Sequence, residues 1–102
     1  ISYGCAARSA LHVTENRRHL GLEIGMLELQ TLWPFPRDLV RRVCRNAVYI
    51  VVVEMNMGQL AGEVKQAVDH PERVYLANRV DGMLITPNDI QELLHIIHGK
   101  GI

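Results

Sequence analysis

One carboxylate closes the most apolar run of the chain. Glu54 ends Val48-Tyr49-Ile50-Val51-Val52-Val53 and opens a polar turn, Glu54-Met55-Asn56-Met57-Gly58-Gln59, before helical spacing resumes at Leu60, Val64, Ala67 and Val68. A carboxylate there has three uses: a general base, a magnesium ligand beside the Asn56 amide, or a hydrogen-bond acceptor at an interface. A base works with a second titrating partner, and magnesium is held by more oxygen ligands than one carboxylate and one amide. Neither supplement lies close in sequence. The favoured job of Glu54 is therefore to fix the turn or to meet a neighbouring domain.

A second cluster is Gly4-Cys5-Ala6-Ala7-Arg8-Ser9. It contains neither G-x-G-x-x-G nor G-x-x-x-x-G-K-[ST], so no dinucleotide or P-loop fingerprint is present. Free amides at a helix start, with Arg8 and Ser9 beside them, leave an anion site open. The favoured reading is a tight turn followed by a solvent-facing Arg8. His95 and His98 are three apart on one helix, near its C-terminal end, without a carboxylate or cysteine at ligand spacing, so a solvated pair is expected. Cys5 and Cys44 match no C-x-x-C pattern and are read as small core residues. The four methionines are scattered and read as gap-fillers.

These residues need elements to hold them. Six β-branched or aromatic residues in a row suit a central strand buried on both faces of a parallel sheet. Ile1 to Gly4 reads as the end of a first strand. A helix over Ala6 to Leu20 should bury Ala7, Ala10, Leu11 and Thr14, with Gly21 as its C-cap. Leu22 to Leu29 reads as a second strand. Leu32-Trp33-Pro34-Phe35-Pro36 must be irregular, because its prolines lack donors and fix φ; Trp33 and Phe35 are expected to plug the sheet end. A short helix to Arg45 should bury Leu39, Val40, Val43 and Cys44. After the central strand comes a helix from Gln59 to about Asp69, stopped at His70-Pro71, and an edge strand over Arg73 to Ala77. Asp81-Gly82 marks a turn, and Thr86-Pro87-Asn88-Asp89 begins a last helix with the stripe Ile90, Leu93, Leu94 and Ile97. Gly99 to Ile102 is expected to fray.

The alternation of strands and helices predicts one α/β domain over 1–102, a three-layer α/β/α sandwich around a mainly parallel sheet in the order 2-1-3-4. In that order the Gly4–Ser9 turn and the Glu54–Gln59 turn flank one crevice at the carboxyl ends of the strands. The candidate interface or ligand crevice comprises Gly4, Arg8, Ser9, Trp33, Phe35, Glu54, Asn56, Gly58 and Gln59.

Bulk properties narrow the partners. The chain has 102 residues, 48% of them hydrophobic, enough to bury a core without staples. Eleven basic and eleven acidic residues balance, which disfavours a broad nucleic-acid or anionic-membrane face. No apolar run approaches the ~20 residues of a membrane span, and a cytoplasmic location is expected. The opening Ile1-Ser2-Tyr3-Gly4, already inside a strand, reads as a piece cut from a longer polypeptide.

Taken together, Ser2-Tyr3-Gly4, Leu32-Trp33-Pro34-Phe35-Pro36, Glu54-Met55-Asn56-Met57-Gly58-Gln59-Leu60 and Asp81-Gly82 before Ile85-Thr86-Pro87 carry a resemblance over nearly the whole chain. The chain resembles the C-terminal, transketolase-C-like domain of the alpha subunit of 2-oxoacid:ferredoxin oxidoreductases, nearest the 2-oxoglutarate (KorA-type) branch. The resemblance implies an enzyme that oxidatively decarboxylates a 2-oxoacid on thiamine diphosphate, passes electrons through an iron–sulfur cluster to ferredoxin and forms an acyl-CoA. It implies that the pyrimidine of thiamine is held by the preceding domain of the alpha subunit, and that the diphosphate, magnesium and cluster belong to the beta subunit. It also implies an additional edge strand before Ile1, against the second strand. On this reading the domain itself holds no cofactor, metal or catalytic residue and is inactive alone. Its role is packing, in an oligomeric complex, against the beta subunit and the preceding domain. The alternative is a regulatory or CoA-phosphate site between Arg8 and Gln59. A stand-alone flavodoxin-like enzyme would need a cofactor loop that the sequence does not display.

Overall fold

The computed structural model describes residues 1–4, 6–16, 23–30, 34–54, 58–78 and 85–99. Its elements, in chain order, are α1 (Ala6–Glu15), α2 (Arg37–Cys44), β1 (Ile50–Glu54), α3 (Gln59–Ala67), a 3₁₀ turn (Pro71–Arg73), β2 (Val74–Asn78) and α4 (Pro87–Gly99). The fold is α/β with a parallel sheet. The β-branched run forms β1, which pairs in parallel with β2 from Ile50↔Val74 to Glu54↔Asn78.

That strand begins two residues later than the apolar run. Val48 is exposed, and Tyr49 stands just outside, its ring edge-on to Tyr75 with centroids 6.1 Å apart. The partner sets the limit. The amide of Arg73 donates to His70 O inside the 3₁₀ turn, so β2 starts at Val74 and the ladder starts at Ile50.

Alternate residues of a strand point to opposite faces, and both faces of β1 are covered. Ile50 and Val52, with Val74, pack against Val40 of α2 and Leu60, Ala61 and Val64 of α3. Val53, with Ala77, packs against Ala6, Ala10 and Val13 of α1 and Ile90 of α4. Ser2 joins two further segments to this pair by single parallel bridges, to Glu28 on one side and to Val53 on the other. The expected second strand over Leu22 to Leu29 is thus reduced, among the described residues, to its pairing at Glu28.

The helical stripes depart from expectation in two places. On α1 the buried face is Ala6, Ala7, Ala10 and Val13, while Leu11 is exposed. Ala6, Ala10 and Val13 follow the i, i+4, i+7 rule, and their small side chains let the helix approach the sheet closely. The helix closes where Asn16 donates its side-chain amide to His12 O at 2.8 Å; the expected continuation to Leu20 and the Gly21 cap lie outside the described residues. On α2 only Val40 is buried; Leu39 and Val43 are exposed, Val43 at the wall of a cavity. This helix is tied down at its surface instead, by Arg37 to Glu63 at 3.6 Å and Gln66 at 3.1 Å and by Arg41 to Asp69 at 2.9 Å.

The last helix starts as the sequence specifies. Thr86 Oγ1 accepts from the Asp89 amide at 3.3 Å, and the Asp89 carboxylate accepts from the Thr86 amide at 2.9 Å, a reciprocal capping box. Ile90 and Ile97 are buried, with Leu93 and Leu94 packed at the edge of the same core. The Asp81-Gly82 turn and residues 100–102 lie outside the described residues.

Two glycines allow a test of opposite sign. Gly58 has φ +92°, and a Cβ there would stand 3.2 Å from Leu76 Cδ2; Gly62 lies inside α3 with nothing within 4 Å of a Cβ. Gly58→Ala should cost about 1–2 kcal/mol in urea unfolding, whereas Gly62→Ala should stabilise by about 0.5–1 kcal/mol. The amino nitrogen of Ile1 donates to Val51 O at 2.7 Å, and burial pushes its pKa from 8.0 down to about 6. Below pH 6 the amine is charged folded and unfolded, and the full desolvation penalty applies; above pH 8 it is neutral in both and the penalty is gone. Stability of the chain with a free Ile1 amine should therefore rise between pH 6 and 8 by on the order of 2–3 kcal/mol relative to the Nα-acetylated chain, measured by denaturant titration across that window.

Candidate functional site

The carboxyl end of β1 presents a buried charge to a helix that lacks a capping side chain. Glu54 points toward the α2/α3 face and is 1% exposed. Its two carboxylate oxygens accept from the Leu60 amide at 3.2 Å and the Ala61 amide at 2.9 Å. These are the second and third residues of α3, whose N-cap is Gly58, a residue with no side chain to offer. The carboxylate therefore does from six residues upstream what an Asp or Ser at the cap would do, and it sits at the positive end of the helix dipole. The left-handed Gly58 turns the chain so that the first amides of α3 face back toward the strand.

Across the sheet end, Ser2 is fully buried and its Oγ donates to Val53 O at 2.7 Å. Because Ser2 runs parallel to Val53, Gly4 and Glu54 lie at the same end of the sheet. Gly4 takes φ +63°, and its carbonyl accepts from the Ala7 amide at 3.1 Å to start α1. Arg8 is exposed on the first turn of α1. Ser9 is half-buried, and its hydroxyl donates to Ile85 O at 2.7 Å, tying α1 to the lead-in of α4. Its one donor is thereby directed into the fold, away from an anion above the helix. Phe35 packs partly buried against the α2/α3 core. Gln59 is exposed at the first position of α3. Trp33 and Asn56 lie outside the described residues.

Of the nine candidate residues, Gly4 and Glu54 thus lie at the same end of the sheet, and two, Glu54 and Ser9, are committed to backbone partners within the domain. Among the described residues no buried side-chain nitrogen or oxygen is without a partner, and no three His, Cys, Asp or Glu side chains come together as metal ligands. His95 and His98 are both exposed, and Cys44 is free and half-buried, its thiol pKa raised by burial. No described helix is long and apolar enough to cross a membrane. A cavity of about 720 Å³ opens at the other end of the sheet. Ser2 and Ile85 are partners that the sequence does not mark: a small hydroxyl in a strand and a carbonyl on an isoleucine carry no compositional signal.

Residues 1–90 match the family described as pyruvate:ferredoxin oxidoreductase core domain II. The chain belongs to that family. The chain is similar to the 2-oxoglutarate synthase subunit KorA of Archaeoglobus fulgidus, 39% identical over 98% of this chain and 27% of the relative. KorA of Methanocaldococcus jannaschii is 35% identical over 89% of this chain and 24% of the relative. The ketoisovalerate oxidoreductase subunit VorB of Methanothermobacter thermautotrophicus is 32% identical over 97% of this chain and 28% of the relative. The chain spans about a quarter of the length of these relatives. No solved structure matches it.

Within this core domain II, the structural job of Glu54 is directly testable. Glu54→Ala leaves the Leu60 and Ala61 amides without their acceptor and should cost ~2–4 kcal/mol. Glu54→Gln keeps one carbonyl oxygen for the pair and should cost about half as much. Urea unfolding of the two variants, with α3 amide exchange as a local readout, checks both the order and the location of the effect.

Proposed function

We propose that this chain is an assembly domain of the alpha subunit of a 2-oxoacid:ferredoxin oxidoreductase, with 2-oxoglutarate as the favoured substrate of the whole enzyme. The observation that carries the non-catalytic part of this reading is the fate of the polar groups at the sheet end. The Glu54 carboxylate caps α3, the Ser9 hydroxyl holds the start of α4, and Thr86 and Asp89 cap one another. Groups whose donors and acceptors face their own backbone are positioned to shape a surface and poorly placed to exchange protons with a substrate. Membership of the core domain II family and the names of its relatives support the enzyme assignment.

On this reading thiamine diphosphate, magnesium, the iron–sulfur cluster and CoA are bound elsewhere in the complex. The partners of the domain are the beta subunit and the preceding domain of its own subunit, and ferredoxin is the partner of the assembled enzyme. The fold is a three-layer α/β/α sandwich of transketolase C-terminal type with strand order 2-1-3-4. The parallel bridges of Ser2 to Glu28 and Val53, beside the β1–β2 ladder, support that order, and the two helix pairs on opposite faces of β1 support the layers.

The surface expected to meet neighbouring polypeptide comprises Arg8, Trp33, Phe35, Asn56 and Gln59, with Gly4 and Gly58 setting the turns. The test is to introduce Asn56→Ala with Gln59→Ala into the full alpha subunit and mix it with its beta partner. Association should weaken ~10-fold or more, the equivalent of at least about 1.4 kcal/mol, while turnover per assembled complex stays within about twofold. Full association together with a large loss of turnover would move these residues into the catalytic machinery. Unchanged association and turnover would remove the turn from the interface.

A further inference from the structure

The sheet has an outer edge at β2, and its backbone is open there. Successive residues of a strand turn their amide and carbonyl to opposite neighbours. On β1, the Val51 carbonyl and the Val53 amide bond Ile1, so Ile50, Val52 and Glu54 turn theirs to β2. The register Val52↔Leu76 then makes the Tyr75 carbonyl and the Ala77 amide the partners of Val52. Val74 and Leu76 are thereby turned away from β1. The Val74 amide is taken up by Pro71 O in the 3₁₀ turn. The Val74 carbonyl and both backbone groups of Leu76 have no partner among the described residues.

Backbone groups open along an edge are a template for another strand, and proteins guard such edges with lysine, proline or an inward charge. Val74-Tyr75-Leu76-Ala77-Asn78 carries none of these. The same five residues complement themselves when two copies run antiparallel about Leu76. Each Leu76 amide then meets the Leu76 carbonyl of the other copy, which closes two bonds at the centre. Residues directly opposite share a face of the sheet. Leu76, packed against the α2/α3 core and half-buried, meets Leu76. On the other face the half-buried Tyr75, whose ring also meets Tyr49, lies opposite the small Ala77. Val74 lies opposite Asn78. No charge meets one of its own sign in these five pairs.

We propose that the outer edge of β2 is a contact between two copies of this chain, paired antiparallel about Leu76 so that their sheets become one. A two-fold axis lets one patch meet itself, and at a strand edge it imposes the antiparallel direction. The contact is short, so a dimer that dissociates on the order of 0.1 mM is expected from this edge alone.

The test is a single cysteine in the full-length polypeptide that contains this chain. Directly opposite residues at the centre of the pairing have Cα atoms ~5.5 Å apart, within disulfide range, and a two-fold contact brings position 76 to itself. Under mild oxidation Leu76→Cys should form covalent dimer ~10-fold or more faster than Arg42→Cys, an exposed position on α2, with the bridge between the two introduced cysteines identified by mass. Leu76→Pro separates association from folding, because it removes an N–H that the ladder within the chain does not use. Its circular dichroism should be kept, and the dimer seen on sedimentation of the unaltered chain at high concentration should be lost. Leu76→Val keeps the N–H and should keep the dimer. Covalent dimer no faster than with Arg42→Cys overturns the proposal, as does a sedimentation dimer that survives Leu76→Pro. A Leu76 amide equally protected from exchange at all dilutions also overturns it, since the edge would then be covered by its own polypeptide. Should Leu76→Pro unfold, the cysteine result decides alone.

Discussion

The structure depends on the way Ser2 is pinned between two segments distant from it in sequence. Its amide and carbonyl bind the 23–30 segment, its hydroxyl binds Val53 O, and its neighbour Ile1 binds both Val51 and Val53. A fully buried hydroxyl is tolerated because it is bonded. That one residue joins the 23–30 segment to the β1–β2 pair. It also fixes which end of β1 faces the start of α1, which brings Gly4 beside Glu54.

From that alignment the polar end of the domain follows. β1 delivers a carboxylate at its tip, Gly58 reverses the chain with a positive φ, and the first amides of α3 return to the carboxylate. On the other face, α1 reaches the lead-in of α4 through Ser9. One side-chain-to-backbone link thus ties α3 to the sheet end, and another ties α1 to the lead-in of α4. The surface above them is built on backbone held from beneath, which suits a region whose contribution to a larger enzyme is shape.

Much of this was legible in the sequence because local chemistry and tertiary context agreed. The Thr86-Pro87-Asn88-Asp89 start, the His70-Pro71 stop and the apolar run of β1 are set by caps, missing donors and β-branching, which act over a few residues. The turn-fixing reading of Glu54 followed from the lack of nearby chemical partners. Its specific bonds did not, since they depend on where Gly58 turns the chain. The misreadings fall where packing decides. Leu11, Leu39 and Val43 are apolar at helical spacing yet exposed, because a stripe written as i, i+1, i+4 leaves two possible buried faces, and the smaller residues on α1 and the lone Val40 on α2 give the closer approach. The bond of Ser9 was not legible either, because the carbonyl that accepts from its hydroxyl lies 76 residues away.

The mode of attachment of α2 carries a mechanical implication. One buried valine, the half-buried Cys44 and a few arginine contacts at the surface are a weaker and more electrolyte-sensitive hold than the continuous apolar seam under α3. This segment is the natural candidate for sub-global opening: it can lift while β1, β2 and α3 stay folded, at a free energy well below that of complete unfolding. An element that detaches separately lets a neighbouring chain adjust its fit on that flank without loosening the polar tip of the sheet.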